Sequence, residues 1–331
     1  MNAPHVSVLL EPDWAAAALV ADVRRGLGSV PRSLPPKWLY DDAGSLLFDR
    51  ITRLPEYYPT EAERSILATF APSIAHSCDA TTVVELGSGT SDKTRLLLEA
   101  FEGAGHLERF VPVDVSEGVM REAAAQIARR HPAIEVEAVV GDFTLHLGHL
   151  TRYEHKLVAF LGGTIGNLYV EERAAFLGAL SDSMGEGDWL LLGTDLVKEA
   201  DRLIAAYDDA EGVTEAFVKN SLAVLNRELE ADFDPDAFGY VPFWDPRLQR
   251  MDLRLRSEVP QRVRIPGAGL DLDLAAGEEI RIEISTKFTR ERIASELGAV
   301  GLEVAEQWTD GAGDFAVTLA RKGVLTPRPE G

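Results

Sequence analysis

The chain has 331 residues, enough for one large or two modest domains, and 46% hydrophobic with 26% charged residues is the composition of a globular protein with a substantial core. Its 33 lysines and arginines against 54 acids leave a net charge of −21, a field that repels phosphate backbones and anionic lipid, so neither nucleic acid nor a membrane is expected as a partner. The single cysteine, Cys78, excludes an internal disulfide and a thiolate-rich zinc site. No apolar run reaches the roughly 18 residues of a membrane span. Glu11 and Asp13 stand where a secretory signal carries bare positive charge, so a cytoplasmic location is expected.

In chain order, residues 14–27 read as a helix, ended by Pro31, Pro35 and Pro36. Residues 37–60 are dense in aromatics, with Trp38, Tyr40, Phe48, Tyr57 and Tyr58. Core packing and pocket lining are both open for them. The Tyr57-Tyr58-Pro59 run reads as too polar and proline-marked for a long helix or strand. From Thr82 the idiom changes. Short apolar strands at 83–86, 110–114, 136–140, 157–161 and 189–192 alternate with helices, one of them N-capped by Ser116. Near-continuous apolar strands between helices predict a parallel sheet covered on both faces. Residues 200–232 then read as helical and 241–285 as strands, with clear alternation over 250–257 and 279–285. A helix at 290–297 and two strands at 302–308 and 315–320 follow. The turn at 310–313 is too short for a parallel crossover, so these two strands form a hairpin. The fold class is therefore α/β: five parallel strands and a C-terminal antiparallel hairpin, with an inserted α+β substrate subdomain.

The run Glu85-Leu86-Gly87-Ser88-Gly89-Thr90-Ser91-Asp92-Lys93-Thr94 leaves a strand and opens a helix, the context of a nucleotide-type ligand loop. A phosphate-cradling P-loop and a dinucleotide fingerprint both need a glycine where Asp92 stands, and both place an anion where Glu85 and Asp92 repel it. S-adenosyl-L-methionine has no phosphate and carries a sulfonium and an ammonium, so the acids are tolerated. Asp114 closes the second strand, where a carboxylate accepts from ribose hydroxyls. Asp142 and Phe143 close the third, facing the adenine amino group and ring. Each of these has an ordinary turn as its alternative, but their register at successive strand ends favours the cofactor.

Pro35-Pro36-Lys37-Trp38, the run from Thr52 to Thr60 (TRLPEYYPT), Glu85 to Gly89, Gly162-Gly163-Thr164-Ile165-Gly166-Asn167 and Gly193-Thr194-Asp195-Leu196 together resemble the actinobacterial histidine Nα-methyltransferases of ergothioneine biosynthesis. The likeness runs from about Leu27 to Arg321. It implies a class I methyltransferase-type Rossmann-like sheet and three methyl transfers onto the α-amine of L-histidine, giving hercynine, with S-adenosyl-L-homocysteine as coproduct and no metal. By position it implies that Tyr40, Gly87, Lys93, Asp114, Asp142 and Phe143 hold the cofactor. Tyr57, Gly162, Thr164, Asn167, Tyr207, Glu283 and Ser285 are implied for histidine, and Leu253 stands where the family pattern carries Met, a nearly volume-conserving change. The expected organisation is a helical and aromatic segment contributing to the substrate site (1–60), the cofactor domain (61–196), the substrate subdomain (197–287), a return to the cofactor domain (288–321) and a tail (322–331). A monomer is expected, with histidine and its N-methylated intermediates as its partners.

The chemistry fits those residue types. Methyl transfer to an amine needs alignment and desolvation more than a strong base. The Gly162 carbonyl and Thr164 can hold the amine, while Asn167 and Tyr207 are neutral donors for the carboxylate; an ordinary turn is the alternative for Asn167. Glu283 and Ser285 lie two apart on a strand and point to one face, where they can grip the two imidazole nitrogens. By alternation alone, Glu279 and Arg281 share that face, and an exposed charged strand is the plainer reading. His146, His149 and His155 read as surface histidines with no matching acids. Three rivals remain: the same chemistry on another aromatic amino acid or amine such as a tryptophan derivative, a nicotinamide-dependent oxidoreductase, and a non-catalytic ligand-binding protein.

Overall fold

The computed structural model describes residues 4–88 and 93–323. Its first half comprises β1 (His5–Val8), α1 (Trp14–Leu27), β2 (Arg32–Ser33), α2 (Asp42–Ile51), α3 (Tyr58–Ser77), β3 (Thr82–Leu86), α4 (Thr94–Ala104), β4 (Arg109–Asp114), α5 (Glu117–Arg130), β5 (Glu135–Val140) and β6 (Lys156–Phe160). There follow α6 (Val170–Asp182), β7 (Trp189–Asp195), α7 (Ala200–Tyr207), α8 (Val213–Leu229), β8 (Phe238–Asp245), β9 (Arg250–Ser257), β10 (Gln261–Ile265), β11 (Leu270–Leu274), β12 (Glu279–Thr286), α9 (Arg290–Gly298), β13 (Leu302–Thr309) and β14 (Phe315–Lys322). Two compact units result. One takes the chain up to Leu10, Pro59–Leu196 and the chain from Phe288; the other takes Glu11–Tyr58 and Val197–Lys287.

The first unit is built on an eight-stranded sheet of order β1-β5-β4-β3-β6-β7-β14-β13. The five expected parallel strands are β3 to β7, and the hairpin β13–β14 closes the sheet antiparallel to β7. A sixth parallel strand, β1, lies on the edge beside β5. Its four residues, His-Val-Ser-Val, are too few to show a strand pattern in the sequence. Alternate residues of the central strands separate cleanly: Val83 and Phe110 pack under α3, α4 and α5 with Leu67, Leu98 and Met120, while Val84 and Val111 pack under α6 and α9 with Leu177, Leu180 and Leu297. That double burial is why these strands read as unbroken apolar runs. Burial pushes the Cys78 thiol up to about 12.

Two local expectations change. Tyr58 opens a 20-residue helix, because Pro59 falls in the first turn, where a missing N–H costs nothing, and Ala62, Glu63, Ile66, Leu67, Ala71, Ile74 and Ala75 recur at helical spacing and are buried. Ser116 stands at the N-cap of α5, but its side chain makes no capping hydrogen bond.

In the second unit a four-stranded sheet of order β2-β12-β9-β8 packs its apolar face on α1, α7 and α8, with the hairpin β10–β11 alongside. Between Arg281 and Glu283 the pairing of β12 with β9 slips by one residue. Before the slip, Arg281 opposes Arg254 and Ile280 opposes Leu255; after it, Glu283 opposes Leu253 and Ser285 opposes Met251. Directly opposed residues share a face, so this β-bulge at Ile282 puts Glu283 and Ser285 on the apolar face and leaves Glu279 and Arg281 on the other. The shared charged face expected from alternation is therefore corrected. On that other face Asp252 is completely buried and accepts from Arg254 Nε (2.7 Å) and Arg281 Nε (2.9 Å). Burial pushes its carboxyl up, but the two arginines outweigh it and hold it below the ordinary carboxylate range.

At the starts of β6 and β7, Lys156 and Asp188 form an ion pair with side chains only 1% and 5% exposed, and Asp188 also accepts from the backbone of Lys156 (3.0 Å) and Gly185 (2.8 Å). Lys156→Met removes the cation and leaves the buried acid uncompensated, so urea unfolding should show a loss of about 3–5 kcal/mol. A loss below about 1 kcal/mol would mean that the two backbone donors satisfy Asp188 by themselves.

Candidate active site

The strand order of the first unit reverses at β3. From there the chain moves through β4 to β5 on one side, then returns to β6 and β7 on the other. In open α/β sheets, ligands bind at such a reversal, outside the carboxyl ends of the strands. The turns at those ends carry the sequence-predicted residues. Gly87 leaves β3 with φ +71°, and a Cβ there would stand 3.6 Å from the Phe143 ring. Phe143, after β5, packs edge-on against Phe160 (5.4 Å) and Phe176 (6.0 Å), which hold its ring in place beside Gly87. Asp142 is buried; its Oδ1 accepts from Thr144 N (2.8 Å) and Oγ1 (2.6 Å). His146 braces its backbone, with Nδ1 3.1 Å from Asp142 N, a structural use of one of the three clustered histidines. Asp114, ending β4, accepts from Ser116 N (3.1 Å). Gly89 and Asp92, on which the choice of loop ligand turned, lie outside the described residues. Glu85 is buried and accepts from Ser88 Oγ (2.6 Å) and Thr94 Oγ1. This acid therefore links Ser88, just after β3, to Thr94, the first residue of α4.

After β6 the chain takes two left-handed residues, Gly162 (φ +78°) and Gly163 (φ +69°), before the 3₁₀ turn Thr164–Asn167. Only glycine adopts this backbone freely. Thr164 Oγ1 donates to Leu161 O (3.2 Å), closing the turn. The Gly162 N–H donates to both oxygens of Glu63 (2.9 and 3.0 Å), and Lys93 pairs with the same carboxylate. Sequence reasoning missed Glu63. Its signal was available: an acid in the buried stripe of α3, between Ala62 and Ile66.

In the second unit Tyr40, Tyr57, Tyr207, Leu253 and Glu283 line one narrow pocket with Phe48, Ile51, Thr214 and Phe217. Tyr40, implied for the cofactor, shares this pocket with residues implied for the substrate. The aromatics are interlocked edge to face, Tyr40 against Phe48 (5.4 Å) and Phe217 (5.2 Å), and Tyr57 against Tyr207 (6.2 Å). Tyr207, the last residue of α7, donates to Ser285 Oγ (2.8 Å), and Tyr240 donates to the Tyr207 carbonyl (2.8 Å). Lys287 is completely buried and donates to Tyr207 Oη (2.7 Å) and Ser285 Oγ (2.8 Å). Lys287 was also missed, although it continues the alternation of Glu283 and Ser285. The result is an apolar, aromatic slot with one carboxylate, Glu283, on its wall, whose Tyr207 hydroxyl is held from behind by Ser285 and Lys287; it is suited to a small flat ring bearing N–H and N. Among the described residues no group of three or more His, Cys, Asp or Glu is arranged to hold a metal, and no helix is long and apolar enough to cross a membrane.

Residues 19–322 match the model of a family described as histidine-specific methyltransferases, SAM-dependent. The chain belongs to this family. It is similar to the histidine N-alpha-methyltransferase of Mycolicibacterium smegmatis, at 54% identity over 94% of this chain and 97% of that one, and to that of Mycobacterium tuberculosis, at 52% over 95% and 98%. It is more distantly similar to an L-tryptophan methyltransferase of Psilocybe serbica, at 27% identity over 92% of both chains. The protein is thus a class I methyltransferase, and its loops fit the SAM that the family uses: Gly87 leaves open the space beside Phe143 that a side chain would enter. The rival oxidoreductase and non-catalytic readings fall away.

Burial, then the charge of Glu283 and the neighbouring Tyr57 and Tyr207, hold the Tyr40 hydroxyl well above its ordinary value, even though 43% of the residue is exposed. Tyr240 is raised in the same way, by burial and then by Glu283 and Asp208. A phenol raised on folding contributes stability that is full below the unfolded value of about 10 and is lost as pH rises toward the folded one. Tyr40→Phe and Tyr240→Phe should therefore leave the phenolate absorbance of the folded protein at pH 10 unchanged and flatten the alkaline fall in Tm. A drop in that absorbance would show that the replaced phenol ionises normally.

Proposed function

We propose that this enzyme transfers three methyl groups in succession from S-adenosyl-L-methionine to the α-amino nitrogen of L-histidine, forming hercynine in ergothioneine biosynthesis. The observation that carries the substrate is the bulge in β12, which turns Glu283 and Ser285 onto the apolar face beside Leu253. A carboxylate and a hydroxyl there complement the two nitrogens of an imidazole, and the names of the mycobacterial relatives support the same reading.

The cofactor supplies a methyl group already activated on a sulfonium, so the chain's own task is to bind, orient and desolvate. Tyr40, Gly87, Lys93, Asp114, Asp142 and Phe143 are assigned to the cofactor. Gly162, through its carbonyl, and Thr164 take the amine, and Asn167 and Tyr207 take the carboxylate. Tyr57 and Leu253 line the ring pocket, with Glu283 accepting the ring N–H. The nucleophile is the neutral amine, whose proton leaves through solvent; neutral Thr164 and Asn167 do not trap a product whose nitrogen is permanently cationic.

Glu283 is half-buried in an aromatic pocket, and a carboxylate enclosed in this way disfavours ligands that leave it unpaired. Glu283→Ala should lower kcat/KM for histidine on the order of 10–100-fold, from roughly 1.5–3 kcal/mol of charged hydrogen bonding. Tryptophan should lose less, or gain. The measurement is the histidine-to-tryptophan ratio in parent and variant, with product fragmentation placing each added methyl on the α-nitrogen. An unmoved ratio removes Glu283 from ring recognition, and methyls on the imidazole refute the substrate orientation.

A further inference from the structure

Glu63 combines three properties that together go beyond a structural ion pair. It has no exposed surface, both its oxygens accept from the Gly162 N–H, and it pairs with Lys93. Lys93 stands at the start of α4, in the turn after β3, and Gly162 in the turn after β6, and these are adjacent strands at the reversal of the sheet. One carboxylate therefore ties together the two turns to which the cofactor and the amine are assigned. The sheet makes room for it: a Cβ on Gly193 of β7 would stand 2.0 Å from Glu63 Oε1 and 3.3 Å from Leu161 Cα. A buried ion pair is a poor way to gain stability, since a well-packed apolar group does as well or better. What the charge adds is placement. Gly162 and Gly163 form a backbone with two successive left-handed residues and no side chain to pin it, and the bond to Glu63 fixes where that backbone begins.

We infer that Glu63 is a positioning residue for methyl transfer, holding the Lys93 ammonium and the Gly162 turn in register through a single buried carboxylate. The inference rests on the assignment of Lys93 to the cofactor and Gly162 to the substrate amine. Glu63→Gln keeps the size and an acceptor for the Gly162 N–H but removes the charge facing Lys93. Gly193→Ala leaves the charge and displaces the carboxylate, which covers the case in which Glu63→Gln does not fold.

The probe is S-adenosyl-L-homocysteine, measured by calorimetry, with steady-state kcat and KM alongside. Glu63→Gln and Gly193→Ala should each weaken its binding on the order of 10–100-fold and lower kcat in protein that keeps its native circular dichroism. Because Glu63 acts through Lys93, the double variant Glu63→Gln/Lys93→Met should bind no more weakly than the weaker single variant. Variants with a lowered Tm but parental affinity and kcat would reduce Glu63 to a structural acid and overturn the inference. Additive losses in the double variant would overturn it as well. If Lys93→Met weakens binding and the other two variants do not, the inference fails and the assignment of Lys93 stands. If Lys93→Met leaves binding unchanged, that assignment fails and the inference with it.

Discussion

One extra residue in β12 decides what the pocket of the second unit can recognise. A regular strand would keep Glu283 in line with Glu279 and Arg281, on the face where arginines surround Asp252. The bulge at Ile282 moves it across the sheet, so the same strand carries a salt-bridged face for half its length and a binding face for the other half. The charged network is more than decoration: Asp252 accepts from Arg254 on its own strand and from Arg281 on β12, which ties the two strands together on that face. Leu253 and Met251 fix the register after the slip by packing. The bulge is held between two well-defined registers, so Glu283 has one position to occupy.

The first unit works by a different constraint. A parallel sheet covered on both faces buries its central strands, so in β3, β6 and β7 the turns at the strand ends are where backbone and side chains can meet a ligand. Gly87, Asp114, Asp142 and Gly162 all lie there, each the last residue of a strand or within two residues of one. What the helices contribute is support from behind. Phe160 and Phe176 orient Phe143, Ser88 and Thr94 occupy Glu85, and α3 delivers Glu63.

This division explains what could be read from the amino-acid sequence. Residues at strand ends are conspicuous because an acid or a glycine interrupts an apolar run, and the parallel strands, the hairpin and the cofactor turns were all legible on that basis. The edge strand β1 was not, since two valines in four residues make no pattern. Neither was the start of α3, where Pro59 looks like a breaker and is in fact a first-turn residue. Glu63 and Lys287 escaped because their partners are distant in sequence: Glu63 meets Gly162 ninety-nine positions later and Lys287 meets Tyr207 eighty positions earlier. The bulge escaped because strict alternation is the only rule a single strand offers.

Both units are discontinuous in the chain, and that imposes an order on how they can be made. Strand β14 sits between β7 and β13, so β7 keeps an open edge until the last described strand has been synthesised. In the second unit β2 pairs with β12, joining Arg32 to Ile280 across most of the polypeptide. Closures over such separations carry a large chain-entropy cost and are slow. A ribosome-bound intermediate therefore carries an unfinished parallel sheet with β7 exposed at its rim, at a stage when neither unit has all its strands. Both pairings draw on segments from the final sixth of this sequence, so neither unit can complete its sheet before those segments have been made.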